Sequence, residues 1–287
     1  IYCGGAGLDV GKYDRAKVKT YVAVDPSKEA LKRTEKAIRA KGSPFRATYV
    51  PADAAQPSFL EVMQKTAGSV QFAAVVCYNG LHQKGRWGSE RAATDLLRGV
   101  HTCLKPGGYF FGFMPDSATL WSRTQGADSE TKSGPLYHLK CTPSASGGET
   151  IGDRQFGTLD FRLQIKGEAA PEQGSLIHFH TFQQLAEQAG FRVLEIINLL
   201  EYYHMNKARY RKQLLAYQVV SEKQSSMDKA NADVVASFAI FILQRKTDRD
   251  VELEKTQEGL LRLDELVPDP PFYMFAANAA HRKPPKC

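Results

Sequence analysis

Residues 1–9 read Ile-Tyr-Cys-Gly-Gly-Ala-Gly-Leu-Asp, an apolar fragment that runs directly into a glycine cluster and then an acid. Residues 20–25, Thr-Tyr-Val-Ala-Val-Asp, form a second short apolar run that ends in an acid, and residues 47–53 form a third. Apolar residues recur at helical spacing between positions 30 and 38. Strands that alternate with helices across short loops predict an α/β fold with a doubly wound, parallel sheet.

The same alternation continues beyond the third run. Residues 72–78, FAAVVCY, are a continuous apolar run, which is typical of a central parallel strand. An amphipathic helix is predicted over 92–103 and a strand over 109–114. Further strands are predicted over 156–165, 192–200 and 238–244. The expected architecture is a Rossmann-like, mostly parallel seven-stranded sheet with helices on both faces.

Three later segments have less regular patterns. Residues 124–150 are rich in Ser, Gly, Thr and charge, and we expect a surface loop there. Thr181-Phe-Gln-Gln184 fits a capping box that opens a helix ending at Gly190. Residues 207–216 are basic, and we expect a helix; such a helix serves either as a solvated face or as an RNA contact.

The order of glycines and acids indicates a nucleoside site. Gly5 and Gly7 let a backbone approach a ligand closely, and Asp9 follows them. Asp25 ends the second strand, where a carboxylate accepts hydrogen bonds from a ribose diol. Asp53 ends the third strand, where it can accept from an adenine amino group. NAD and S-adenosylmethionine both fit this crevice, and the alternative is that the glycines only form a turn and the acids only cap helices.

Composition excludes several classes of protein. The chain has 287 residues, of which 43% are hydrophobic and 24% charged, so it can bury a full core and is not a disordered chain. The five cysteines form no CxxC pair, which predicts reduced thiols in an intracellular protein. We predict no membrane span and no signal peptide. The net charge of +7 permits a polyanionic partner without requiring one.

Several motifs, in order along the chain, resemble those of one known family. Residues 104–117, LKPGGYFFGFMPDS, are similar to the LxPGGYFIGTxPNS of the eukaryotic and viral mRNA cap (guanine-N7) methyltransferases. Further similarities follow in the same order along the chain and cover roughly residues 1–246. The matching segments are YCGGAGLD at 2–9, CYNGLH at 77–82, FG with DF and Leu163 within 156–163, PE with LIHF within 171–179, LEYY at 200–203, and ASF with Phe241 within 236–241. The resemblance implies a class I methyltransferase fold.

The resemblance also implies a cofactor and site residues. The cofactor is S-adenosylmethionine, with S-adenosylhomocysteine as product and no metal. The implied cofactor-binding residues are Gly5, Gly7, Asp9, Asp25, Asp53 and Tyr78. The implied cap-guanine residues are His82, Pro115, Glu172 and Phe238.

These residue types suit methylation at guanine N7, because N7 carries no proton at neutral pH and needs no general base. Catalysis then consists of alignment and electrostatics, and we assign no residue as an acid or a base. Glu172 is expected to accept from guanine N1–H and the exocyclic amine, His82 to donate toward O6, and Phe238 to stack on the base. Alternatively Glu172 is a solvated acid, His82 a core histidine and Phe238 plain core.

The sequence departs from the family pattern near the expected site. Ala6 replaces the lysine of the glycine loop, Gln83 the tyrosine after the histidine, and Asp116 the asparagine of PNS. Residues 84–85, Lys-Gly, are an insertion. These differences are compatible with the N7 mechanism, but Ala6 removes the phosphate contact that the family's loop lysine implies.

The family carries a helix with FYLRNFNNWxK before its first strand, and no such segment precedes Ile1. Residues 272–283, FYMFAANAAHRK, resemble it instead. We therefore hypothesise a circular permutation, in which Asn278 contacts the cap and Arg282 contacts the cofactor. The alternative is that the sequence is truncated before its first strand. The expected domains are 1–246, the methyltransferase, and 247–287, a tail that supplies this helix.

The function expected from the residues and the resemblance is cap guanine-N7 methylation. One alternative is a methyltransferase that acts on another RNA or a small molecule, and another is a catalytically weak cap-binding or scaffold subunit. The expected partners are 5′-capped RNA and other capping-enzyme domains or an activating subunit. The expected location is the nucleus for a cellular protein and the cytoplasm for a viral one. His178 and His180 alternate on one predicted strand, but no third ligand has suitable spacing for a metal.

Overall fold

A computed structural model describes residues 2–3, 9–42, 45–68, 71–125, 130–224, 226–254 and 256. The strands are, in chain order, β1 (Tyr2–Cys3), β2 (Thr20–Val24), β3 (Arg46–Val50), β4 (Phe72–Tyr78), β5 (Leu104–Pro115), β6 (Thr131–Ser133), β7 (Tyr137–Pro143), β8 (Glu149–Ile151), β9 (Arg154–Phe156), β10 (Leu159–Ile165), β11 (Glu172–Ser175), β12 (Phe191–Asn198) and β13 (Phe238–Arg245). The helices are α1 (Val10–Arg15), α2 (Lys28–Ala40), α3 (Phe59–Ala67), α4 (Lys84–Trp87), α5 (Glu90–Cys103), α6 (Ser117–Thr124), α7 (Phe179–Gln188), α8 (Leu199–Asn206), α9 (Arg211–Ala216) and α10 (Lys229–Val235).

Seven strands form the main sheet in the order β12-β13-β5-β4-β1-β2-β3. The pairs β3–β2, β2–β1, β1–β4 and β4–β5 are parallel. Strand β13 runs antiparallel to both of its neighbours, β5 and β12. The predicted α/β class is therefore confirmed, and the sheet is mixed rather than wholly parallel.

Helices cover both faces of this sheet. Alternate residues of β2 belong to different apolar clusters, because successive side chains of a strand point to opposite faces. Val22 packs in the cluster that contains Leu97 of α5, whereas Tyr21 packs in the cluster that contains Leu31 of α2. Ser27 caps α2 by accepting from the backbone N–H of Ala30 at 3.2 Å.

Strands β4 and β5 approach each other closely at Gly112. A Cβ at this position would lie 1.7 Å from the carbonyl oxygen of Cys77, so no residue with a side chain fits without moving the backbone. Glycine here allows the pairing that brings the ends of β4 and β5 to the same edge of the sheet.

A smaller antiparallel sheet, in the order β11-β10-β7-β6, and a two-stranded ribbon, β8-β9, lie beyond β5 in the chain. The prediction of a surface loop over 124–150 was wrong, because this range contains β6, β7 and the start of β8. In β7, Tyr137, Leu139 and Cys141 are buried, whereas His138 and Lys140 are exposed. This alternation is the ordinary sequence signal of a half-buried strand.

Other predicted boundaries need correction. The strand expected over 156–165 is divided into β9 and β10 by a turn at Gly157, whose φ is +59°. Helix α7 begins at Phe179 rather than after Thr181, and the Thr181 hydroxyl accepts from the backbone N–H of Gln155 at 3.1 Å instead of capping.

Two further elements are shorter than predicted. Strand β12 ends at Asn198, whose side chain accepts from the Leu200 N–H at 2.9 Å and so begins α8. Of the basic range 207–216, only Arg211–Ala216 forms a helix.

The chain divides into two compact units, 1–246 and 247–287. In the second unit the structure describes 247–254 and 256, with helix from 248 to 254. Asp250 Oδ2 accepts from the Thr247 N–H at 2.8 Å at the start of this helix. Among the described residues, no helix is long and apolar enough to cross a membrane.

Candidate functional site

Two predicted acids lie at one edge of the main sheet, just beyond paired parallel strands. Asp25 follows β2, and Asp53 lies three residues beyond β3. Asp25 Oδ1 accepts from the Ser27 N–H at 2.8 Å, and Asp53 Oδ1 accepts from the Ala55 N–H at 3.1 Å. Carboxyl ends of parallel strands are where open α/β sheets bind ligands.

Asp9, Lys12 and Tyr78 form a charged and aromatic group where the chain enters α1. Lys12 Nζ lies 2.5 Å from Asp9 Oδ1 and 5.3 Å from the centre of the Tyr78 ring. Burial raises the pKa of the Tyr78 phenol; the Lys12 charge opposes this rise and the Asp9 charge adds to it. Tyr78 is therefore a neutral hydroxyl at physiological pH.

His82 and Glu172 are in direct contact, although 90 positions separate them in the chain. His82 Nε2 lies 2.7 Å from Glu172 Oε1. The His82 side chain is fully buried, whereas the Glu172 side chain is 33% exposed. Nδ1 of His82 is buried and makes no hydrogen bond within the described structure. The imidazole therefore holds the carboxylate while part of Glu172 stays accessible.

The antiparallel pairing of β10 and β11 sets the position of Glu172. Leu163 is its partner in the register, and the Ser175 N–H donates to the His82 carbonyl at 2.8 Å. At Gly174 a Cβ would lie 2.3 Å from the His82 carbonyl oxygen. The smaller sheet is thus held tightly against the loop that carries His82.

Pro115 and Phe238 are direct partners in the pairing of β5 with β13. The rings of Phe238 and Phe113 have centroids 5.9 Å apart at an interplanar angle of 88°, and Phe113 stacks on Tyr78 at 5.5 Å and 20°. An aromatic series therefore connects the residue predicted to lie near the cofactor, Tyr78, with the residue predicted to stack on guanine, Phe238.

Asp116, which stands where the family motif PNS has asparagine, is buried, and both of its carboxylate oxygens accept hydrogen bonds. Its Oδ1 accepts from the Thr119 N–H at 2.8 Å and caps α6, and its Oδ2 accepts from Asn198 Nδ2 at 2.7 Å. Asn198 also donates to the Ala236 carbonyl at 2.9 Å. These bonds fix the segments that follow Pro115 and precede Phe238.

Sequence reasoning missed Arg86. Its Nε donates to Asp53 Oδ1 at 3.0 Å and its Nη1 donates to the Gly80 carbonyl at 3.0 Å, and the side chain is only 8% exposed. The only sequence signal was its place just after the Lys84-Gly85 insertion, and nothing in the pattern pointed to Asp53.

The other predicted residues are Asp25, which the structure describes, and four residues that it does not describe. Within the described residues, no hydrogen bond or ion pair joins Asp25 to another predicted site residue. Gly5, Gly7, Asn278 and Arg282 lie outside the described residues.

His178 and His180 make different hydrogen bonds, although their rings lie close together, with centroids 6.2 Å apart. His178 Nδ1 lies 2.8 Å from the Thr181 hydroxyl, and His180 Nε2 lies 3.2 Å from Asp153 Oδ2. No group of three or more potential metal ligands occurs among the residues that the structure describes.

The model of the mRNA (guanine-N7)-methyltransferase domain matches residues 1–246. The chain belongs to this family. It is 27% identical over 254 residues to mRNA cap guanine-N7 methyltransferase 2 of Oryza sativa subsp. japonica, covering 85% of this chain and 73% of the relative. It is 28% identical over 268 residues to mRNA cap guanine-N7 methyltransferase 2 of Arabidopsis thaliana, covering 88% and 72%. The predicted family is confirmed.

A solved structure supports the fold of this methyltransferase-family chain. The CcbJ methyltransferase from Streptomyces caelestis matches with a TM-score of 0.51 and 12% identity, covering 86% of this chain and 82% of that one. At such identity the likeness concerns the fold alone.

Proposed function

We propose that this chain is an mRNA cap guanine-N7 methyltransferase, which transfers a methyl group from S-adenosylmethionine to N7 of a GpppN cap. The observation that carries the proposal is the contact of His82 with Glu172, in a chain whose first 246 residues match the guanine-N7-methyltransferase domain. The seven-stranded sheet, with one antiparallel strand next to the edge strand β12, supports a class I methyltransferase fold.

The residues at the strand ends fit S-adenosylmethionine. Asp25 and Asp53 offer carboxylates for a ribose diol and an adenine amine, and one oxygen of Asp53 is free of hydrogen bonds within the described structure. Tyr78 offers a neutral hydroxyl and a half-buried ring toward the methionine end. Gly5, Gly7 and Asp9 complete the proposed cofactor site. The cofactor supplies an electrophilic sulfonium methyl group when bound.

Glu172 reads the guanine in this proposal. Its carboxylate accepts from guanine N1–H and the 2-amino group, and its negative charge offsets the positive charge that develops on the methylated base. His82 donates through Nε2 to Oε1, which leaves Oε2 for the guanine. The 2.7 Å contact favours this indirect role for His82 over direct donation to O6.

Phe238 and Pro115 provide apolar surfaces for the base. Phe238 is half-buried, and Phe113 packs edge-on against its ring, which restricts its orientation. A fixed aromatic face contributes stacking of about 1–3 kcal/mol per base. No group in this arrangement needs to remove a proton, since guanine N7 attacks through its own lone pair.

The tail residues and the partners remain proposals. Asn278 and Arg282 are assigned to the cap and the cofactor by their resemblance to the family helix, and the circular permutation rests on the same resemblance. Capped RNA is the proposed substrate, and other capping domains or an activating subunit are proposed partners. The nuclear or cytoplasmic location stays a prediction.

Acceptor specificity tests the proposed function. The full chain is incubated with radiolabelled S-adenosylmethionine and three RNAs of one sequence, which begin with Gppp, m7Gppp or ppp. Transfer only to the Gppp RNA is expected. Transfer to all three would indicate methylation elsewhere in the RNA, and binding of Gppp RNA without transfer to it would indicate a cap-binding subunit.

A further inference from the structure

Arg86 is a buried cation beside the proposed cofactor site, and the proposed function gives it no role. It belongs to the four-residue helix α4, which Trp87 anchors in the core. The Trp87 ring is fully buried, with ring centroids 6.0 Å from Phe156 and 5.7 Å from Phe182. This anchoring fixes the backbone from which the Arg86 side chain extends.

The guanidinium of Arg86 joins two segments that carry different parts of the site. Nε donates to Asp53 Oδ1 after β3, and Nη1 donates to the Gly80 carbonyl after β4, each at 3.0 Å. Gly80 lies two residues before His82. The planar fork of arginine supplies two donors in fixed directions, which a lysine ammonium on a flexible stem does not reproduce.

The two carboxylate oxygens of Asp53 differ in their hydrogen bonding. Oδ1 accepts from both Arg86 Nε and the Ala55 N–H. Oδ2 has no hydrogen bond within the described part of the chain, and the Asp53 side chain is 20% exposed. The carboxylate is therefore held in one rotational setting with one oxygen available.

We propose that Arg86 is a positioning residue that aims Asp53 Oδ2 at the adenine amino group of S-adenosylmethionine, and that it fixes the loop preceding His82 through Gly80. This inference rests on the proposed function, because it takes the site after β3 to be the adenine site. Arg86 does not touch the cofactor in this arrangement; it acts through Asp53.

Calorimetry with a matched pair of ligands tests this role. The ligands are S-adenosylhomocysteine and its analogue whose purine lacks the 6-amino group. The wild type is expected to bind the analogue about tenfold to a hundredfold more weakly than S-adenosylhomocysteine, because the analogue lacks the hydrogen bond to a charged acceptor. In Arg86→Met the two ligands are expected to bind within about threefold of each other, as they would in Asp53→Ala.

Arg91→Met is the matched control, since Arg91 is 84% exposed and pairs with Asp95 at 3.8 Å on α5. It should keep the wild-type preference for the amino group. If Arg86→Met lowers the affinity for both ligands equally and keeps that preference, Arg86 has only a structural role and the proposal is overturned. If the wild type binds neither ligand, the proposed function fails first.

Gly80→Ala provides a second variant that keeps the charge and does not depend on the folding of Arg86→Met. A Cβ at Gly80 would lie 2.7 Å from Arg86 Nη1, so the end of the arginine side chain must move. The preference for the 6-amino group should fall in Gly80→Ala as well. An unchanged preference in this variant would contradict the proposed positioning.

Discussion

Nε2 of the fully buried His82 lies 2.7 Å from Oε1 of Glu172, and this contact joins the loop after β4 to strand β11 of the smaller sheet. A buried imidazole that donates to a carboxylate fixes the direction of that carboxylate. Glu172 keeps a third of its side-chain surface accessible and thus remains able to accept from a ligand. This combination of constraint and exposure supports the proposed role of Glu172 in guanine recognition.

Glu172→Gln should reduce discrimination between guanine and hypoxanthine caps. The wild type is expected to prefer Gppp RNA over Ippp RNA, because hypoxanthine lacks the 2-amino donor. Replacing the charged acceptor by an amide should lower kcat/KM for Gppp RNA by about tenfold to a hundredfold, the value of a charged hydrogen bond. Steady-state kinetics on the two RNAs measure this preference.

Gln173→Ala is the control for Glu172→Gln. Gln173 follows Glu172 on β11 and is exposed, and successive residues of a strand point to opposite faces. Its replacement should leave the preference unchanged. Equal effects of the two substitutions would argue against a specific role for Glu172.

Phe238→Ala should raise the KM for capped RNA through lost stacking. The expected loss in the binding free energy of capped RNA is about 1–3 kcal/mol, whereas the affinity for S-adenosylhomocysteine should change less. Phe238→Tyr keeps an aromatic face and should retain most of the wild-type KM. An unchanged KM in Phe238→Ala would show that Phe238 is only a core residue packed on Phe113.

Asp116→Asn should destabilise the fold although it restores the residue of the family motif. The Asn198 amide donates to Asp116 Oδ2, so an amide at position 116 either places two donors against each other or leaves the α6 cap unmade. The expected loss is about 1–3 kcal/mol in the free energy of unfolding, measured in urea. Asp95→Asn on the surface of α5 is the control, and an equal effect there would refute this account.

His101 should make stability fall as the solution becomes acidic. Burial lowers the pKa of His101, and the nearby charge of Arg245 lowers it further. The unfolded chain therefore takes up the proton more readily, and the stabilising contribution is complete above about pH 6.5 and decreases below it. The free energy of unfolding, measured in urea, should differ less between pH 7 and pH 5 in His101→Gln than in the wild type. An equal difference in the two proteins would contradict this prediction.

The local pattern predicted much of the main sheet, because β2, β4 and the core of β5 are apolar runs bounded by clear turns. It did not predict the smaller sheet, since the alternation in β7 lies within a polar, glycine-containing stretch. The motif order predicted that His82, Glu172, Pro115 and Phe238 share one site, and the structure shows the His82–Glu172 contact and the pairing of Pro115 with Phe238. No periodicity could show that His82 contacts Glu172, because that contact depends on how the two sheets pack.

The burial of Arg86 was even less predictable from the sequence. A basic residue just after an insertion is usually interpreted as an exposed surface charge. Its burial follows from the anchoring of Trp87, and its contact with Asp53 joins residues from separate strand–loop segments. Such a relationship arises only from the tertiary arrangement.

The position of the transferred methyl group tests the central claim most directly. The full chain is incubated with S-adenosylmethionine carrying a labelled methyl group and Gppp RNA, the RNA is digested to nucleotides, and the labelled product is identified by chromatography and mass spectrometry. The account predicts that the label elutes as 7-methylguanosine in the cap, and that Glu172→Ala forms far less of it while Gln173→Ala forms a normal amount. Label on a ribose, on an internal base or on no nucleotide at all would contradict it.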